Sequence, residues 1–279
     1  MALRNNGVDM IIRTSTQGWS ALLLAGALLT TAMSGPAFGQ WRTRTANVPR
    51  TPDGKLNPSA PAPRTADGKP DLSGIWEPNG VKYLRDLAAD LKPGEVPFQP
   101  WAEALFKERL SGAHAREEPD ASCLPQGVPK INAAPVPYRI VQQPAYVVIL
   151  YEAFTQWRQI FLDGRPLPTD PNPTWLGYSV GKWEGDALVV ESIGFNGKFW
   201  LDSAGHPSTE ALHVTERFRR PTFGKLEIQI TIDDPKAYTK PWTITEDPHL
   251  IADTELIEFI CNENNRDMPH MVNAPVAAK

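Results

Sequence analysis

Cysteine is nearly absent, with two in 279 residues, and the 28 lysines and arginines are outnumbered by 32 aspartates and glutamates. A net charge of −4 supplies no basic field to hold a phosphate backbone, which argues against nucleic acid as a partner. The apolar run Ala21–Met33 covers 13 residues, short of the roughly 20 that span a bilayer, so no stable membrane anchor is expected. There is no Gly-x-Gly-x-x-Gly, no P-loop and no Gly-x-Ser-x-Gly elbow, which removes the usual nucleotide-binding and α/β-hydrolase readings. The histidines, His114, His206, His213, His249 and His270, show neither H-E-x-x-H nor H-x-H spacing. Neither cysteine has a second at C-x-x-C spacing, so no cofactor and no metal is expected. Only the neighbourhood of His206, Glu210 and His213 leaves a metal open.

What is present describes an exported globular protein. Hydrophobic residues at 41% and charged residues at 22% are ordinary for a packed domain. Arg4 and Arg13 precede the apolar run, and Ala37-Phe38-Gly39 places small residues where a signal peptidase cuts. Residues 1–39 therefore read as a signal peptide, with a periplasmic or secreted destination. In such a compartment Cys123 and Cys261 are expected to pair.

Residues 40–70 are rich in Pro, Lys and Arg with little to bury, and read as an extended arm. Within it Arg50-Thr51-Pro52-Asp53-Gly54-Lys55 recurs as Arg64-Thr65-Ala66-Asp67-Gly68-Lys69, each copy centred on an Asp-Gly turn. Residues 71–265 form the main domain and 266–279 a tail. Two helices are expected at its start: Val81–Leu91, with Leu84, Leu87, Ala88 and Leu91 on one face, and Pro100–Leu110, with Trp101, Ala104, Leu105 and Leu110.

After about Pro137 alternation is sustained. The cleanest case is Lys225–Asp234, where Leu226, Ile228, Ile230 and Ile232 share one face. Further strands are expected at Tyr138–Gln142, Tyr146–Phe154, Trp157–Leu162, Tyr178–Trp183, Ala187–Ile193, Ala211–Arg219, Trp242–Thr245 and Leu256–Cys261, with a hairpin turn at Glu184-Gly185-Asp186. Many strands without intervening helices favour a mainly β, antiparallel barrel-like domain carrying two peripheral helices.

The ordered motifs Pro70-Asp71-Leu72-Ser73-Gly74-Ile75-Trp76, Cys123-Leu124-Pro125-Gln126-Gly127-Val128-Pro129, Asp163-Gly164-Arg165, Gly181-Lys182-Trp183-Glu184-Gly185-Asp186 and Thr215-Glu216-Arg217-Phe218 resemble a family of exported, mostly uncharacterised bacterial proteins. The resemblance implies export and no particular reaction. Family members commonly read Gly-His-Pro-His-Ser-Glu where this chain has Gly205-His206-Pro207-Ser208-Thr209-Glu210, and Cys-His-Glu where it has Cys261-Asn262-Glu263. The missing imidazoles argue against a shared histidine metal site. Gly74-Ile75-Trp76 is also similar to the Gly-x-Trp opening of lipocalin-like barrels.

Strand parity places charges among apolar neighbours. Glu152 shares parity with Tyr146, Val148, Leu150 and Phe154; Arg158 with Ile160 and Leu162; Glu216 with Leu212, Val214 and Phe218. If those faces point inward, Arg158 needs a carboxylate partner, either as a structural pair or as the polar floor of a ligand cavity. Candidate catalytic residues are therefore Glu152, Arg158, Glu216 and His206, the last expected on a solvated loop. Candidate ligand contacts are Trp183, Trp200, Asp202, His213 and Trp242, because loop-edge tryptophans stack on flat ligands and the 196–210 segment reads as a pocket rim. Two functions fit: binding of a small molecule in a barrel cavity, or a cofactor-independent lyase, isomerase or hydrolase using carboxylate and histidine acid–base chemistry.

Overall fold

The computed structural model describes residues 48–263; the expected signal peptide and the tail lie outside the described residues. Strands β1 (Gly74–Glu77), β2 (Tyr138–Gln142), β3 (Tyr146–Tyr151), β4 (Trp157–Phe161), β5 (Tyr178–Glu184), β6 (Ala187–Ile193), β7 (His213–Thr222), β8 (Lys225–Asp233) and β9 (Trp242–Glu246) hydrogen-bond in that order, and β10 (His249–Leu250) pairs with both β8 and β1. The result is a closed barrel. β9 and β10 pair with β8 in one continuous register, Ile228 opposite Glu246 and Lys225 opposite His249. They act as one strand interrupted at Asp247-Pro248, where proline has no N–H to add to the ladder, so the ring counts nine strands. Closure removes the exposed edges that a single open sheet would present.

Every neighbouring pair is antiparallel except β4 with β5, so the barrel is mixed rather than purely antiparallel. Parallel neighbours need a crossover, and the long 162–177 connection, carrying Pro166, Pro168, Pro171 and Pro173, supplies it without a helix. Two strands escaped the sequence reading: β1 is four residues long and β10 two, too short for alternation to register. The expected strand at Leu256–Cys261 is absent. That segment is held at intervals by side chains instead, with Ile257 N–H donating to Glu152 Oε1 at 2.8 Å and Thr155 Oγ1 to the Phe259 carbonyl at 2.7 Å. Its path brings Cys261 to Cys123, and the two form a disulfide with Cα atoms 5.5 Å apart.

Inward residues Ile140, Ile149, Ile160, Val190, Val214, Phe218, Ile228, Ile230 and Ile232 belong to one buried apolar cluster. On β3 the parity is the reverse of that expected. Val147, Ile149 and Tyr151 are buried, while Tyr146 and Leu150 face outward with Trp157 of β4, which lies opposite Leu150. All six β3 residues are apolar or aromatic, so alternation alone cannot tell the two faces apart.

One end of the barrel is closed by Arg220. Its guanidinium lies 4.8 Å from the Trp76 ring and donates to the carbonyls of Asp71, Ser73 and Phe223. The arm packs on this end: Phe223 N–H donates to Ala60 O and Gly224 N–H to Pro58 O. Its two repeats make identical turns. Arg50 and Arg64 each donate to their own Gly54 or Gly68 carbonyl and reach across to Asp253 or Asp186.

Helix α1 covers only Lys82–Arg85, not the expected Val81–Leu91, because Asp86 turns extended (φ −148°, ψ 106°). Helix α2 spans Pro100–Leu110 as expected, but its buried face is different. Ala102 is buried and Phe106 half-buried, whereas Trp101 and Leu110 are exposed. The seam runs through Ala102, Phe106 and Arg109, which includes a cation that an apolar count passes over.

Candidate functional site

Between β6 and β7 the chain makes a long excursion whose tip is tightly folded. Trp200 pairs with Pro207, and Leu201 N–H donates to the His206 carbonyl at 2.9 Å. Inside the tip Asp202 Oδ1 accepts from Gly205 N–H at 2.9 Å and His206 N–H at 3.1 Å, an Asx-type turn. Gly205 sits at φ +100°, and a Cβ there would lie 2.4 Å from Arg109 Cβ, so both its conformation and its contact with α2 require glycine. Arg109 seals this contact: its guanidinium stacks 4.3 Å from the Trp200 ring and donates to the Gly205 carbonyl. Burial lowers its pKa to about 10.

The tip docks on the segment after α1. Leu87 N–H donates to Asp202 Oδ2 at 2.6 Å, and Ser203 N–H donates to the Leu84 carbonyl at 2.8 Å. These bonds claim backbone groups that a longer helix would use for itself, which explains why α1 stops after one turn.

Asp202 Oδ2 also lies 2.5 Å from His206 Nδ1. An ionised carboxylate can only accept, so Nδ1 carries a proton, and in the neutral imidazole that leaves the lone pair on Nε2. His206 lines a cavity of about 610 Å³ together with Asp86, Phe98, Glu103, Phe106 and Lys107. Its ring centroid is 4.3 Å from Phe106, 5.4 Å from Phe98 and 5.6 Å from Trp242, so aromatic rings hold it in place. Nε2 makes no hydrogen bond among the described residues.

Far from standing on a solvated loop, His206 is 1% exposed, and Asp202 is fully buried rather than at a rim. Trp200 and Trp242 are likewise buried, Trp242 against the imidazole and Trp200 under the Arg109 guanidinium. Asp86, Asp202 and His206 place ligand-type atoms within 4.8 Å of one another. Both Asp202 oxygens are already engaged by N–H donors, and a cation would have to displace them. The donor set fits a carboxylate–imidazole dyad better than a metal triad.

The other candidates lie elsewhere. Arg158 and Glu216 point into the barrel and form a buried ion pair, completed by Ser179 and Ser192 on Arg158, and by Asn132 on Glu216. Burial acts against the Arg158 charge, and the carboxylate of Glu216 outweighs it, so its pKa rises. Tyr151 donates to Asn132 Oδ1, extending the network. Glu152 is not part of it. Being one residue past the end of β3, it turns outward under the 251–260 segment, where burial raises its carboxyl above the ordinary range. His213 is half-buried at the start of β7, opposite Asp233. Trp183 lies on the outer side of β5 with Lys69 Nζ 6.0 Å from its ring.

Sequence reasoning missed Asp86, Phe98 and Phe106, and it did not couple Asp202 to His206. The available signal was Asp202-x-x-Gly205-His206, in which an Asx turn closed by glycine returns a histidine to its own aspartate. Comparison of the chain with family models, curated proteins and solved structures finds no match.

Proposed function

We propose that the protein is an exported small-molecule-binding protein that holds its ligand in the cavity beside α2 and moves a proton on it through His206. The observation that carries this reading is His206, bonded behind to the buried Asp202 and lining a 610 Å³ cavity, a size ordinary for small-molecule sites. Asp202 fixes the tautomer and would stabilise the imidazolium, while Nε2 acts as general base. No Ser, Thr or Cys lines this cavity, so the imidazole would act on a water or on an acidic hydrogen of the ligand itself. That chemistry belongs to cofactor-independent hydrolases, lyases or isomerases. We place the ligand beside α2 rather than in the barrel, because the inward barrel residues form one apolar cluster crossed by a paired ionic network.

Compartment is part of the proposal. The disulfide is compatible with a periplasmic or extracellular location, and cleavage near Gln40 is the finer expectation, tested by N-terminal sequencing of exported protein.

A thermal-shift screen of small molecules, followed by product analysis, tests the function. Asp202→Asn and His206→Gln should retain binding while turnover falls by roughly 10²–10⁴-fold. Turnover by His206→Gln at the wild-type rate would remove the acid–base role. Binding that survives with no turnover in the wild type would leave a binding protein alone.

A further inference from the structure

A second cavity, of about 540 Å³, shares no lining residue with the one beside His206: its walls come from the arm at Val48 and Pro63, the start of β1, β2, and the 250–254 segment. Two arginines line it. Arg220, 6% exposed, is bonded through Nε, Nη1 and Nη2 to backbone carbonyls only. Those acceptors are neutral, unlike Glu216 against Arg158. The nearest acid, Asp71, also lines the cavity but turns its carboxylate to the Ser73 N–H at 2.9 Å, so that it acts on Arg220 only through space. Arg220 thus keeps a buried charge with no ion pair among the described residues. Burial lowers its pKa to about 10, which still leaves it cationic at neutral pH.

Arg139 projects from the outer face of β2 into the same cavity and makes no hydrogen bond or ion pair among the described residues. The remaining walls are mostly apolar, with Val141, Phe223, Leu250 and Ile251 prominent. A buried cation with no direct ion pair, a second unpartnered cation and an apolar wall, with Asp71 as the one carboxylate among the lining residues, are together complementary to one kind of molecule. An anion there would gain charge-assisted hydrogen bonds, and an apolar body attached to it would lose its contact with water.

We infer that this barrel-end cavity binds a small amphipathic monocarboxylate, its carboxylate held by Arg139 and Arg220 and its hydrocarbon body on the apolar wall. The site is independent of His206 and of the proposed acid–base chemistry. The arm takes part in it, since Val48 and Pro63 form one wall.

Calorimetry on the full chain at neutral pH, with decanoate as probe, tests the inference; decanol supplies the same chain without charge, and acetate the charge without the chain. Decanoate should bind at least about tenfold tighter than either. Arg139→Gln is chosen because Arg220 also closes the barrel and its replacement could unfold the protein. It should weaken decanoate about tenfold or more, leave decanol unchanged and leave the melting temperature unchanged. Ala252→Trp, which fills the cavity, should abolish decanoate binding, whereas His206→Gln should not alter it. Absence of decanoate binding, equal affinity for decanol, or indifference to Arg139→Gln would each overturn the inference. Loss of decanoate binding in His206→Gln would also overturn it, by moving the probe to the other cavity.

Discussion

The barrel interior and the flank beside α2 both bury a paired charge, yet they do so in opposite ways. Inside the barrel Arg158 and Glu216 are enclosed on every side, and Ser179, Ser192 and Asn132 take up all their other donors and acceptors except Arg158 Nη1. In the flank Asp202 is just as enclosed, but its partner His206 is saturated on one nitrogen only and meets a cavity. A charge pair closed on both sides specifies which strands meet. One closed on a single side leaves a ring nitrogen without a partner in a fixed direction. The difference lies in the second partner of each pair, not in how deeply it is buried.

Breaking the barrel pair should have the largest effect on stability and none on the flank. Arg158→Met strands Glu216 as an unpaired carboxylate and should cost about 3–5 kcal/mol in chemical denaturation, with ligand affinity beside His206 unchanged. If affinity fell in step with stability, the two regions would not be separable.

Removing the disulfide by Cys123→Ser with Cys261→Ser should cost about 2–4 kcal/mol, since the bridge closes a loop across 138 positions of sequence. The loss should be seen equally in the single variants and under reducing conditions.

In the flank, Asp202→Asn should cost less, about 1–3 kcal/mol, because its amide would face the donors Leu87 N–H or His206 Nδ1–H that the carboxylate now accepts. The informative readout is the ring-nitrogen NMR spectrum of His206, which reports its tautomer. Loss of the carboxylate should release the ring from the Nδ1–H form, and an unchanged spectrum would show that the pair is not coupled.

The smallest effect is a gain. Glu246 faces inward on β9, and burial, reinforced by the charge of Glu216, raises its carboxyl well above the ordinary range. A carboxyl whose folded pKa is raised binds more protons folded than unfolded, so its contribution is fully present below the unfolded pKa and is lost as pH rises. Glu246→Gln should therefore raise the melting temperature at pH 7–8 and converge with the wild type near pH 4. A constant difference across that range would show that Glu246 is not neutral in the folded barrel.

Much of the barrel was legible because its strands carry period-two patterning. β2 and β6 occupy the expected residues, and parity on β4 and β7 turns Arg158 and Glu216 inward, while the choice of Glu216 over Glu152 as partner came from the structure. β3 failed because its uniformly apolar sequence carries no parity signal, and Glu152 failed with it. The Pro100–Leu110 helix was legible in extent but not in orientation, since Arg109 serves on its packed face and Trp101 does not. At the candidate site both Asp202 and His206 stood out as residue types, but a loop has no periodicity from which to infer that either is buried.

By itself the sequence determined the strands from β2 to β9, the helix start at Pro100, the turn chemistry of the two arm repeats and the availability of two cysteines to pair. These depend on local rules, side-chain alternation and backbone preference, which act over a few residues. Tertiary structure alone decided the closure through β10, the parallel β4–β5 contact and the cavity over His206. Each joins segments from distant parts of the chain: Leu87 meets Asp202, and Phe106 covers His206. Such meetings are selected by the packing of the whole chain, where burying one surface fixes what the next can touch, and no local pattern records the choice.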